Sequence, residues 1–173
     1  MEQRKPMTHI TAGLLVAGLL VIYSIIVNFL NLNGVPGINL LQYAIIIGGL
    51  IYVVKQYGKA NNYTVSFGNL FAYGFKATAM FTILFIAFLI LFFIAFPDLK
   101  EKTFEMARQQ MEKQKNISDE DIDKAITISR KFFWVGVVGG TMFFLVIVGA
   151  IGSALGAYLT KKRPQDPLDQ LSV

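Results

Sequence analysis

Charged residues are absent from four stretches of the chain: residues 10–30, 38–54, 77–96 and 132–159. A hydrocarbon core of about 30 Å takes about twenty helical residues to cross, so each stretch predicts a membrane-spanning helix. The second is short, but it reaches Tyr57 if Lys55 lifts its ammonium to the interface. The third gains a lead-in from Asn69, and the fourth is long enough to tilt or to project. The expected fold is therefore all-α: a polytopic membrane protein with four transmembrane helices at about 10–30, 38–57, 69–96 and 132–159. The segment before the first run resembles the charged start of a signal peptide. The apolar stretch that follows is too long for one, which predicts a retained first helix.

Between the third and fourth spans the pattern changes to amphipathic. Residues 97–131 read as two helical arms. The first carries Phe104, Ala107 and Met111 at helical spacing, with Leu99 and Met106 on an adjacent face. Asn116 and Ile117 make the turn. Ser118 then opens the second arm with a capping-box-like run and an acidic first turn, and Ile122, Ala125, Ile126 and Phe133 share one face. Neither Pro nor Gly falls between Ser118 and Gly136, so this arm is expected to run directly into the fourth span. The arms are comparable in length, as an antiparallel helical hairpin requires. The whole chain is read as one membrane domain with this outer segment and a flexible cytoplasmic tail at 161–173.

Composition agrees with a bilayer solvent: of 173 residues 54% are apolar, fifteen are Phe, and the mean hydropathy is +0.54. The absence of cysteine excludes disulfides, thiolate metal sites and thiol catalysis, and the single His9 excludes a histidine-rich metal centre. A pI near 9.4 would suggest nucleic acid in a soluble protein. Here the basic residues cluster at the ends of apolar runs instead, so no nucleic-acid partner is expected.

Arg4, Lys5, Lys55, Lys59, Lys76, Lys161, Lys162 and Arg163 all fall on one side of the predicted topology. The other side has an uncharged link at 31–37 and the 97–131 segment, where eight basic residues balance eight acidic ones. By the positive-inside rule both termini are then cytoplasmic, the membrane is the inner (cytoplasmic) one, and the hairpin is extracytoplasmic. Arg130 and Lys131 run against this pattern, since they abut the fourth span on the outer side.

Ser66, Asn69, Tyr73 and Lys76 project onto one helical stripe, which continues as Met80 and Ile83. Asn69, Tyr73 and Lys76 form the candidate functional polar stripe. It ends where the charge-free run begins, and no Asp or Glu occurs within any span to pair with a buried lysine. Lys76 is therefore read as a snorkelling interfacial side chain, the alternative being a functional cation. The missing carboxylates also disfavour proton- or sodium-coupled transport. Ser66 is the expected N-cap of a helix that starts at Phe67.

The fourth span holds two GxxxG pairs, Gly136/Gly140 and Gly152/Gly156, which project to nearly opposite faces, and Gly149 beside the second. These five are candidate helix-packing residues. They are expected either to meet Gly13 and Ala17 of the first helix and Gly48 and Gly49 of the second, or to form a homo-oligomer seam. Phe133 and Trp134 at one end and Tyr57 and Tyr158 at the other suit aromatic interface belts. The outer hairpin is either a solvated spacer or a docking surface for a membrane-protein partner. The triplets Asn62-Tyr63-Thr64 and Asn116-Ile117-Ser118 match the glycosylation acceptor but fall on opposite sides of the membrane, and are read as chance.

Ser66-Phe67-Gly68 with Phe71 and Gly74, the charged SDEDIDKA stretch and the Gly-rich last helix together resemble a bacterial four-span membrane family catalogued as domain of unknown function 4199. The resemblance covers nearly the whole chain. It implies an integral membrane protein and supplies no catalytic or ligand residues. The expected function is a non-enzymatic accessory or scaffold protein, with no catalytic, cofactor-binding or metal-binding residues and the lipid bilayer as its constant partner. The alternative is a small transporter or channel subunit, with Asn69, Tyr73 and Lys76 at a cytoplasmic vestibule and Asn28 and Gln42 toward the outer side. Intramembrane catalysis would need a nucleophile and base or a metal set, and the spans offer only scattered Ser, Thr and Tyr.

Overall fold

Thr8 opens the first helix: its hydroxyl accepts the Thr11 backbone N–H at 3.1 Å, filling one of the vacancies every helix start leaves. In this computed structural model the described residues are 6–32, 35–114 and 117–161, the side chain of Asn39 excepted. They form α1 (His9–Phe29), α2 (Ile38–Ala60), α3 (Phe67–Ala95), α4 (Pro97–Glu112), α5 (Asp119–Lys131), a short α6 (Phe133–Val135), a π-helical turn (Gly136–Gly140) and α7 (Thr141–Leu159). Among the described residues the secondary structure is entirely helical. Four helices are long and apolar enough to cross a membrane: α1, Leu40–Ala60 within α2, α3, and the continuous Phe133–Leu159.

The helix ends follow from local chemistry. Asn61, Asn62 and Tyr63 close α2 with a left-handed cap: the Tyr63 N–H donates to the Gly58 carbonyl at 2.8 Å and the Asn62 N–H to Lys59 at 3.1 Å. Asn62 and Tyr63 both have positive φ, 54° and 62°. Asn tolerates this region better than most residues, which accounts for Asn62 here. Ser66 accepts the Asn69 N–H at 3.4 Å at the start of α3. Pro97 sits in the first turn of α4, where its missing N–H costs nothing. Ser118 caps α5, accepting the Asp121 N–H at 3.2 Å. The turn residue Asn116 and most of the tail, 162–173, lie outside the described residues.

The chain divides into two compact units, one comprising the residues up to Phe85 together with those from Leu145 onward, the other Ile86–Phe144. In the first, glycines admit the side chains of neighbouring helices. A Cβ added to Gly13 would lie 2.6 Å from Met80 Cβ, so α1 packs on α3; one added to Gly49 would lie 3.2 Å from Val16, so α2 packs on α1. Leu50 fills the space beside Gly152 and Val54 that beside Gly156, which seats α7 on α2. Fully buried Leu20, Ile46, Leu50 and Phe81 fill the interior.

In the second unit α4 and α5 pack against each other through Phe104, Ile122, Ile126 and Phe133, with Phe93, Ala107 and Met111 at the margin. Arg130 pairs with Glu101 at 2.6 Å and Arg108 with Asp123, a register that makes the arms antiparallel. α5 does not run smoothly into the fourth span. At Phe132 the backbone leaves helical geometry (φ −104°, ψ 18°), and a π-helical turn follows. The break turns Phe133 inward, where its ring meets Phe93 edge-on at 5.1 Å and Phe104 at 5.5 Å. Phe133 is thus a core residue of the α4/α5 pair and not part of an interface belt.

Candidate functional site

The polar stripe on α3 comes apart. Tyr73 is buried: its ring stacks on Tyr57 at 4.0 Å and 9°, and its hydroxyl donates to the Met7 carbonyl at 3.0 Å. Asn69 and Lys76 are exposed, just beyond the edge of the buried face, and no carboxylate among the described residues pairs with Lys76. The reason is angular. Residues seven apart nearly coincide on a helix, whereas Tyr73 lies some 40–60° from both, enough to carry it across the edge of the buried face. Tyr73 ties the segment before α1 to α3; it does not share a vestibule with Lys76.

Polar groups do converge on the contact between α3 and α7. Three pairs repeat one pattern, a glycine followed four residues later by a hydroxyl: Gly74/Thr78, Gly149/Ser153 and Gly156/Thr160. Each hydroxyl donates to the carbonyl of its own glycine, at 3.1, 2.7 and 2.7 Å. The first two pairs interlock. Thr78 occupies the space beside Gly149, where an added Cβ would fall 2.1 Å from its Cγ2, and Ser153 occupies the space beside Gly74, 2.8 Å from an added Cβ. Thr160 sits against Gly58 of α2 in the same manner.

One turn further along α3 is Thr82, 3% exposed, whose hydroxyl has no hydrogen-bond partner. The antiparallel register of the two interlocked pairs puts Leu145 opposite it. This hydroxyl seam was missed in reading the sequence, although its signal was present as hydroxyls four residues after glycines within apolar runs.

The candidate packing glycines divide sharply. Gly149, Gly152 and Gly156 are buried against Thr78 of α3 and against Leu50 and Val54 of α2, not against Gly48 or Gly49, and Gly13 meets Met80. Gly136 and Gly140 have open space around them. A glycine is most useful where a neighbour has a side chain to insert, which is why glycines here oppose Thr, Ser, Leu and Val. Trp134 and Tyr158 are exposed. Among the described residues no group of three His, Asp or Glu is placed to hold a metal.

A family model described as a protein of unknown function, DUF4199, matches residues 11–162. No curated protein and no solved structure matches the chain.

Proposed function

The chain belongs to the DUF4199 family, and from that premise we propose that it is a non-enzymatic accessory or scaffold protein of the inner membrane. Both termini are cytoplasmic and the α4/α5 pair stands outside. The observation that carries this reading is the fate of the polar stripe: Tyr73 is buried and tied to a backbone carbonyl while Asn69 and Lys76 are exposed. The interior between helices is filled by large apolar side chains and by Thr and Ser hydroxyls which, Thr82 apart, are bonded within their own helices. Support for the orientation comes from the cation excess flanking the α2–α3 loop and the last span. The exposed faces of the α4/α5 pair suit a membrane-protein partner or a second copy.

The test of orientation is labelling of single cysteines in intact cells. Gln114→Cys, between the arms, reacts with an impermeant reagent, and Thr64→Cys, in the α2–α3 loop, reacts only after permeabilisation. The reverse pattern overturns the topology. The alternative, a small transporter or channel subunit, has one observation in its favour: the unpartnered buried hydroxyl of Thr82. Reconstituted liposomes distinguish the two. The scaffold reading expects no ion flux above that of protein-free vesicles, and flux abolished by Lys76→Gln but kept by Lys76→Arg would establish the transporter.

A further inference from the structure

The α4/α5 pair is charged unevenly. α4 follows directly on α3 and α5 leads into Phe133–Leu159, so the end of the pair joined to the two spans carries Lys100, Lys102, Arg130 and Lys131 against Asp98 and Glu101. The far end holds six carboxylates against three cations among the described residues. In α5 this placement matches the helix dipole, with Asp119, Glu120 and Asp121 in the first turn and Arg130 and Lys131 in the last. In α4 it matches only in part: Asp98 lies in the first turn, but Glu112 ends the helix and the last turn holds no cation. Lys100 and Lys102 follow Asp98 in the first two turns, where the dipole offers a cation nothing favourable, so α4's own stability does not explain them.

The local geometry shows what these cations face. The Lys100 ammonium lies 4.7 Å from the centroid of Phe133, and that of Lys131 lies 5.7 Å from Phe132. Arg130 is already engaged, with Glu101 at 2.6 Å and over the Phe104 ring at 4.7 Å. Neither Lys100 nor Lys131 has an ion-pair partner among the described residues. Phe132, under Lys131, is exposed, and so is Trp134, whose ring lies 5.2 Å from that of Phe133, where a candidate span begins. Lys131 rests on the exposed Phe132, which with Trp134 suits the acyl side of a headgroup layer, while Lys100 is held by the core ring of Phe133 with its ammonium free to reach that layer.

We propose that Lys100 and Lys131 bind the headgroup of an anionic phospholipid at the membrane-proximal end of the α4/α5 pair. The lipid phosphate and any further headgroup anion neutralise the two ammonium groups, and Phe132 and Trp134 lie against the glycerol and upper acyl region.

Trp134 is the sole tryptophan of the chain, so its fluorescence reports this end of the pair alone. The full chain is placed in nanodiscs containing equal fractions of phosphatidylglycerol and phosphatidylcholine, with one or the other brominated. Each lysine near the surface is worth about a fivefold preference for anionic lipid. The brominated phosphatidylglycerol is therefore expected to quench Trp134 more strongly than brominated phosphatidylcholine. Added salt and the double variant Lys100→Gln/Lys131→Gln should both erase the difference, and Lys100→Arg/Lys131→Arg should keep it. Equal quenching by the two lipids in the wild type overturns the proposal without recourse to any variant. A preference that survives the double Gln substitution overturns it as well, because it assigns the charge selectivity to other residues.

Discussion

Thr78 and Gly149 show how much one methyl group decides at the α3–α7 contact. A Cβ on Gly149 would fall 2.1 Å from Thr78 Cγ2 and 2.6 Å from its Oγ1, both atoms of one side chain. Gly149→Ala should therefore destabilise the protein by about 1–3 kcal/mol, the usual cost of overpacking. Adding Thr78→Ala should recover part of it. Gly136→Ala, with nothing near, is expected to be neutral or stabilising by up to about 1 kcal/mol through helix propensity. Thermal unfolding in one detergent across the four proteins checks all of this, and equal effects at Gly149 and Gly136 would sink the interlock. For Lys76, which is exposed, both Lys76→Arg and Lys76→Gln should leave the melting temperature nearly unchanged. The sequence marked Gly149 and Gly136 alike as packing candidates, although only Gly149 has a neighbour, because a glycine carries no information about the side chain that fills its space. It also grouped Tyr73 with Lys76, since a polar atom at helical spacing does not reveal on which side of the stripe the buried boundary falls.

The α4/α5 pair was legible as an element because its pattern is local: apolar residues at helical spacing, and a Ser118 cap followed by three acids. The break at Phe132 was not. No Pro or Gly marks it, and it exists because Phe133 has Phe93 and Phe104 to pack against across the pair. Three outcomes test this account by amide hydrogen exchange in nanodiscs. Ser118→Ala should cost about 0.5–2 kcal/mol of protection in the first turns of α5. Phe133→Ala should cost about 3–5 kcal/mol and spread across both arms, as expected for emptying an aromatic site in a small core. Ile122→Asp/Ile126→Asp should abolish protection in both arms, because it buries two unpaired charges between them. Rapid exchange throughout the wild-type arms would contradict the packing described. The exposed ion pairs contribute little by comparison. Asp123, and then Glu112, raise the pKa of Arg108, which is ionised at every working pH in any case, so its own titration adds no pH-dependent stability and the pairs should give a salt-sensitive register.

At the scale of the molecule, the number of spans was plain from the absence of charge over long runs, and helices long enough to cross a bilayer stand at those places. Which helix lies against which was not readable. In lipid, apolar residues cover every face of a span, so hydropathy gives no inward side and only shape decides. The α3–α7 seam is the clearest case of this, and it bears on how the protein is made. Thr78, Ser153 and Thr160 each spend their proton on a carbonyl of their own helix. None of the three therefore waits for a partner helix before it can leave water. At this seam α3 and α7 can therefore meet after each has entered lipid, with no exchange of hydrogen bonds by these three groups. Thr78→Val, which keeps the shape and discards the hydroxyl, should accordingly insert and assemble as well as the natural chain.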